Sequence, residues 1–174
     1  MTIKFIPYCH ATSIFDVDIA FFQKENIKTI LADLDNTLDS YKALTPSARV
    51  LDLKRKLEEV GIELIVISNN KEKRVKPYAS DLSVRYLYST HKPFSKRLIK
   101  FLDSNNIDKN YVMCIGDQLL TDVVMANSAH LKVMLTEKIV KEDQWTTHFN
   151  RLIDRPIRRH LRKKNKLVDW KEKM

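Results

Sequence analysis

Cysteine and glycine are each used only twice in this chain of 174 residues. Cys9 and Cys114 supply neither a disulfide framework nor a thiolate metal cluster. Cys114 lies inside an apolar run, where a thiol behaves as core. Gly61 and Gly116 are so isolated that each is expected to answer a particular backbone need. No apolar run of about 18 residues occurs, so no segment is expected to span a bilayer. The N-terminus lacks a long apolar stretch of the secretory kind, which predicts a cytoplasmic protein. Repeats and low-complexity linkers are also absent. Aromatic residues are thin where a base-stacking platform would need them: Phe21 and Phe22 read as core, and the C-terminal tail has only Trp170.

Apolar residues make up 44% of the chain, enough for one domain with a full core. The charge is unevenly placed. Residues 151–174 hold ten Lys or Arg against three acids, +7 of the net +9. The expected organisation is therefore a nearly neutral domain over 1–150 and a basic C-terminal segment over 151–174, the latter suited to a polyanionic partner.

Short apolar runs alternate with helical patterns along the body. Strands are expected at 28–32, 62–67, 84–87, 112–115 and 131–135, and helices over 71–82, 95–104 and 119–128. Thr45 and Pro46 read as the N-cap and first residue of a further helix, with Val50, Leu51, Leu53, Leu57 and Val60 on its apolar stripe and Gly61 as its C-cap. The segment 14–19 alternates apolar and acidic residues and fits either an edge strand or a turn before a short helix. The alternation predicts an α/β fold: a Rossmann-like three-layer sandwich with a mostly parallel central sheet.

Ligands of such sheets bind beyond the carboxyl ends of the strands. Asp33 and Asp35, Ser68 and Asn69, Lys92, and Asp117 with Asp122 all fall there. Taken singly, each fits an ordinary turn or loop. Taken together at four successive strand ends, they suit phosphoryl transfer. A carboxylate can attack phosphorus and divide one hard step into two. Asp33, deeper at its strand end, suits the nucleophile; Asp35 suits the acid and base. Paired acids need a counter-charge, most simply Mg²⁺ held by carboxylates including Asp117 and supported by Asp122. Lys92 adds positive charge, and Ser68 with the backbone N–H groups beyond it can hold phosphoryl oxygens.

The runs Asp33-Leu34-Asp35-Asn36-Thr37, Ser68-Asn69, Lys92-Pro93 and Gly116-Asp117-Gln118-Leu119-Leu120-Thr121-Asp122 resemble the four motifs of the haloacid dehalogenase (HAD) superfamily phosphatases. Asn70, Glu72 and Arg74-Val75-Lys76-Pro77 narrow the resemblance to the YqeG-type, subclass IIIA branch. It covers about residues 12–160. The resemblance implies Asp33 as nucleophile, Asp35 as acid/base, Lys92 as the stabilising lysine and Ser68 and Asn69 as phosphate holders. It further implies Mg²⁺ at Asp33, Asp35 (through its carbonyl) and Asp117, with Asp122 as the second acid of the last motif. Phosphatidylglycerophosphate is the substrate it points to; a soluble phosphate or a phosphoprotein is the alternative.

Thirty-five positions separate Asp33 from Ser68, and 24 separate Ser68 from Lys92. Neither interval can hold a cap domain with its own core, so the site is expected to be open. In the tail, Phe149, Leu152, Ile153, Ile157 and Leu161 lie among arginines and lysines, and Pro156 is expected to interrupt any single helix. Residues 149–174 thus suit peripheral contact with an anionic membrane. RNA or ribosome association through the tail's charges is the rival reading, and the shortage of interleaved aromatics argues against it.

Overall fold

The expected apolar runs do pair as strands in the computed structural model, which describes residues 5–139 and 145–174, with side chains from 153 onward in the latter stretch. The strands are β1 (Cys9–Ala11), β2 (Thr29–Asp33), β3 (Glu63–Ile67), β4 (Arg85–Leu87), β5 (Val112–Gly116) and β6 (Lys132–Thr136). The helices are α1 (Ile19–Lys24), α2 (Ala48–Glu59), α3 (Glu72–Leu82), α4 (Lys96–Ser104), α5 (Val124–Ser128) and α6 (Trp145–Lys163). The sheet order is β1-β6-β5-β2-β3-β4, and every pairing is parallel.

Strand periodicity divides the interior in two. Ile30, Ala32, Leu64, Val66, Met113 and Ile115 face Phe21, Val50, Leu57, Val75 and Tyr78 of α1, α2 and α3. Leu31, Ile65, Ile67, Cys114, Val133 and Leu135 face Leu98, Leu102, Met125 and Leu161 of α4, α5 and α6. Both faces are covered, which is why these strands read as continuous apolar runs.

Several local expectations need correction. A strand, β1, precedes the first one expected; at three residues it is too short for a periodic signal. Residues 14–19 form a 3₁₀ turn, Ile14–Asp16, and the start of α1, with Asp18 accepting from Ala20 N–H as the N-cap. Helix α2 begins after Ser47 rather than at Thr45-Pro46, because the buried Asp39 carboxylate accepts the Ser47 N–H at 2.9 Å. Leu51 faces solvent instead of joining the apolar stripe. Gly61 fulfils its expected role, closing α2 at φ +74°.

Helix α6 runs through Pro156 without interruption. Proline costs a helix one hydrogen bond and a local clash; here Asp154 and Arg158, on either side of it, are both tied to the body. Leu161 is fully buried and Ile157 packs against the same core, while Ile153 is partly exposed. The side chains of Phe149 and Leu152 lie outside the described residues. Beyond α6 the chain returns along β1: His10 N–H donates to Val168 O at 2.8 Å, and Trp170 is buried against Phe21. The outer edge of β1 is thereby covered, as edge strands require. No helix among the described residues is long and apolar enough to cross a membrane.

Candidate active site

Register brings the expected residues together. Asp33 pairs with Ile67, Ile67 with Leu87, and Ala32 with Ile115. Asp33 thus ends its strand level with the residue before Ser68 and one step past Ile115, so Gly116 and Asp117 leave β5 beside it. β3 and β5 flank β2 on opposite sides, so chain connections leave in opposite directions there. That is the crevice of an open parallel sheet.

Asp33, Asp117 and Asp122 are buried, and each offers a carboxylate oxygen within 4.8 Å of the others. The buried Lys92 ammonium bridges two of them, donating to Asp33 Oδ1 and to Asp122 Oδ1 at 2.7 Å. Burial pushes the Asp33 carboxyl well above its usual range; Lys92 opposes this, while Asp122, Asp117 and Asp35 reinforce it. Burial acts to lower the Lys92 pKa, but Asp122 and Asp33 hold it above its ordinary value. The two shifts agree physically: one cation is over-supplied with acids, and the acids are short of positive charge. When ionised, three carboxylates against one ammonium leave two negative charges among hard oxygen donors. That donor set fits a divalent cation, and these residues could hold one.

Gly116 makes the cluster possible. A Cβ on it would lie 2.2 Å from Asp122 Cγ and 2.5 Å from Asp122 Cβ. Its need is close approach, not an unusual φ. Asp122 is returned to this spot by a π-helical turn, Leu119–Val123, of a kind often found at functional positions. Its Oδ2 accepts from Gln118 N–H at 3.1 Å.

Asp35 stands apart from Lys92. Its Oδ1 accepts from Arg74 at 2.9 Å and its Oδ2 from the Asn70 side-chain amide. Burial raises its pKa, against the pull of Arg74, Lys92 and Asn70. The turn beyond it is closed by Asn36 at φ 68°, a left-handed conformation that Asn tolerates. Arg74 Nε and Nη1 are buried without a hydrogen-bond partner among the described residues. Ser68 Oγ accepts from Asn70 N–H at 3.0 Å, leaving its own proton to be directed elsewhere. Asn69 Oδ1 accepts the Lys92 backbone N–H at 2.8 Å, so in this structure the amide holds the lysine loop.

Two further residues, which no motif or strand end marks in the sequence, set the Asp117 loop. Asp154 of α6 accepts from Leu119 N–H at 2.9 Å and Leu120 N–H at 3.1 Å. Arg158 donates to the Asp117 carbonyl. The available signal was Asp154 itself, the one acid between Arg151 and Val168.

Residues 2–140 match the family described as Mitochondrial PGP phosphatase. The Bacillus subtilis (strain 168) protein described as "Probable phosphatase YqeG" is 31% identical over 168 residues, covering 97% of each chain. A structure from Legionella pneumophila, described as a HAD superfamily (subfamily III A) hydrolase, superposes with a TM-score of 0.51 at 20% identity, covering 70% of this chain and 71% of that one. D,D-heptose 1.7-bisphosphate phosphatase from B. bronchiseptica, complexed with magnesium and phosphate, superposes with a TM-score of 0.51 at 16% identity, covering 63% and 80%.

Proposed function

The chain belongs to the Mitochondrial PGP phosphatase family, as a YqeG-type HAD phosphatase, and from that premise we propose that it hydrolyses phosphatidylglycerophosphate with Mg²⁺ through an aspartyl-phosphate on Asp33. The single observation that carries the mechanism is the Lys92 ammonium shared by Asp33 and Asp122, with Asp117 beside them.

Asp33 attacks phosphorus as the carboxylate, a form that the Lys92 ammonium favours against burial, forming a carboxyl oxygen–phosphorus bond as the ester oxygen–phosphorus bond breaks. Asp35 gives its proton to the leaving oxygen; its raised pKa favours the acid form that this needs. Asp35 then takes a proton from the water that cleaves the acyl phosphate, releasing inorganic phosphate and restoring Asp33. Lys92 orients Asp33 and offsets charge on the phosphoryl group, and the Ser68 hydroxyl donates to a phosphoryl oxygen. Asp33, Asp35 through its carbonyl, and Asp117 would hold Mg²⁺, with Asp122 in support; a cation there supplies charge neutralisation and polarises phosphoryl oxygens. Asn69 acts by holding the Lys92 loop. The exposed arginines and lysines of α6 and the following turn suit an anionic membrane surface.

The test is a phosphate-release screen with Mg²⁺ across phosphatidylglycerophosphate in mixed micelles, soluble phosphomonoesters and phosphopeptides. The expected result is fastest release from the lipid. Faster release from a soluble ester or a phosphopeptide would overturn the substrate assignment.

A further inference from the structure

Two large apolar side chains stand out among the described residues: Leu44 is 76% exposed and Phe94 71%, with none other above 50%. Leu44 lies in the loop from β2 to α2, which also carries Asp35 and the buried Asp39. Phe94 lies in the loop from β4 to α4, two residues beyond Lys92. Both therefore sit on the rim of the candidate active site, at the carboxyl edge of the sheet. Single exposed apolar residues are ordinary; two, on separate loops around one open site, call for a partner.

The charges on the same rim define that partner. Lys42, Lys71, Lys73, His91 and Lys96 are exposed on the loops after β2, β3 and β4 and on the helix starts that follow them. Lys71, Lys73 and Lys96 make no ion pair with the described residues. The sole exposed acid there is Glu72, which accepts from the Tyr86 hydroxyl at 3.1 Å. By contrast, Leu161 of the tail is buried and cannot insert anywhere.

We propose that this rim docks on an anionic lipid bilayer, with Leu44 and Phe94 entering the acyl boundary and the lysines lying among the head groups. Apolar insertion plus attraction to anionic lipid is the general mode of interfacial binding. Docking in this way sets the mouth of the site against the head-group layer, so a membrane-held phosphate reaches Asp33 without being extracted. The proposal rests on the lipid-phosphate reading above.

The test uses the full chain and three measurements. These are co-sedimentation with phosphatidylglycerol-containing and with pure phosphatidylcholine vesicles, hydrolysis of p-nitrophenyl phosphate in solution, and phosphate release from phosphatidylglycerophosphate in detergent micelles. Leu44→Ser/Phe94→Ser is expected to lower partition onto anionic vesicles about tenfold or more. Lys73→Glu/Lys96→Glu is expected to lower it as well, and both variants should keep wild-type hydrolysis of the soluble ester. Equal sedimentation of wild type and both variants would overturn the docking surface, as would equal binding to the neutral vesicles. Self-association through Leu44 and Phe94 without vesicle binding would also overturn it, in favour of a second copy of the chain. Micelle hydrolysis separates the two claims. Release by wild type with no effect of either variant on vesicle binding removes the docking surface alone, whereas no release from the micellar lipid removes the substrate reading.

Discussion

Gly116 is the residue on which the acid cluster depends most sharply. Its missing Cβ is the space that the Asp122 side chain occupies. Gly116→Ala forces backbone-proximal atoms of Asp122 aside rather than a flexible tip, and overpacking of this kind costs about 1–3 kcal/mol. The variant should unfold at lower denaturant concentration and lose phosphatase activity together; unchanged activity would show that the position of Asp122 is immaterial. At Asp117 the expected effect is on cation binding. A cation that binds only the folded state raises stability by mass action. Mg²⁺ should raise the wild-type melting temperature and leave that of Asp117→Ala unmoved, a comparison read directly by thermal denaturation. Convergence of Asp33, Lys92, Asp117 and Asp122 was legible in the sequence because strand ends of a parallel sheet share one edge. The hydrogen bond from the Lys92 N–H to Asn69 was not, because whether an amide meets its neighbour's backbone depends on loop geometry that no local pattern carries. The pairing of Arg74 with Asp35 was hidden similarly, since it joins a helix to a loop 39 residues earlier.

At the scale of elements, α6 is a brace for the Asp117 loop. Asp154→Ala would leave the buried Leu119 N–H and the part-buried Leu120 N–H unpaired, the first costing about 1–3 kcal/mol and the second less. The expected outcome is a lower melting temperature with weaker Mg²⁺ binding by calorimetry, and Asp154→Asn should retain part of both. A loss of stability with cation affinity intact would confine Asp154 to a structural role. Glu137, just past β6, ties the same helix to β1. It accepts from His10 at 3.0 Å and from Arg162 at 2.8 Å and pairs with Arg158. These contacts, His10 foremost, hold its carboxyl down at about 2, from 4.5. A depressed folded-state pKa means that the contribution is complete above pH 4.5 and disappears as pH falls towards 2. Wild type should therefore lose stability across that window more steeply than Glu137→Gln, as measured by denaturant midpoints at each pH; parallel curves would refute the ion cluster. Helix α6 defeats a purely local reading because Pro156 is a breaker by propensity, and only tertiary anchoring keeps the helix continuous. Strands β2, β3, β5 and β6 were legible because burial on both faces makes them uniformly apolar; β1, at three residues, falls below any periodic signal.

At the scale of the whole molecule, an all-parallel six-stranded sheet presents one carboxyl edge, and that edge gathers the acids, the lysine and the exposed apolar rim. Intervals too short for a cap leave it open, which suits a phosphate carried on a large or membrane-held alcohol. The charge asymmetry along the chain does not mark a free tail, because Leu161 and Trp170 are buried and Arg158 is tied to the body, while Arg155, Arg159, Arg162, Lys163 and Lys164 stay exposed. The claim on which everything else depends is that Asp33 receives the phosphoryl group. The most direct measurement is inorganic phosphate release from phosphatidylglycerophosphate by wild type and by folded Asp33→Asn, each with Mg²⁺ and after chelation. The account predicts release by wild type with Mg²⁺ alone and none by Asp33→Asn under either condition; release by Asp33→Asn at the wild-type rate would contradict it.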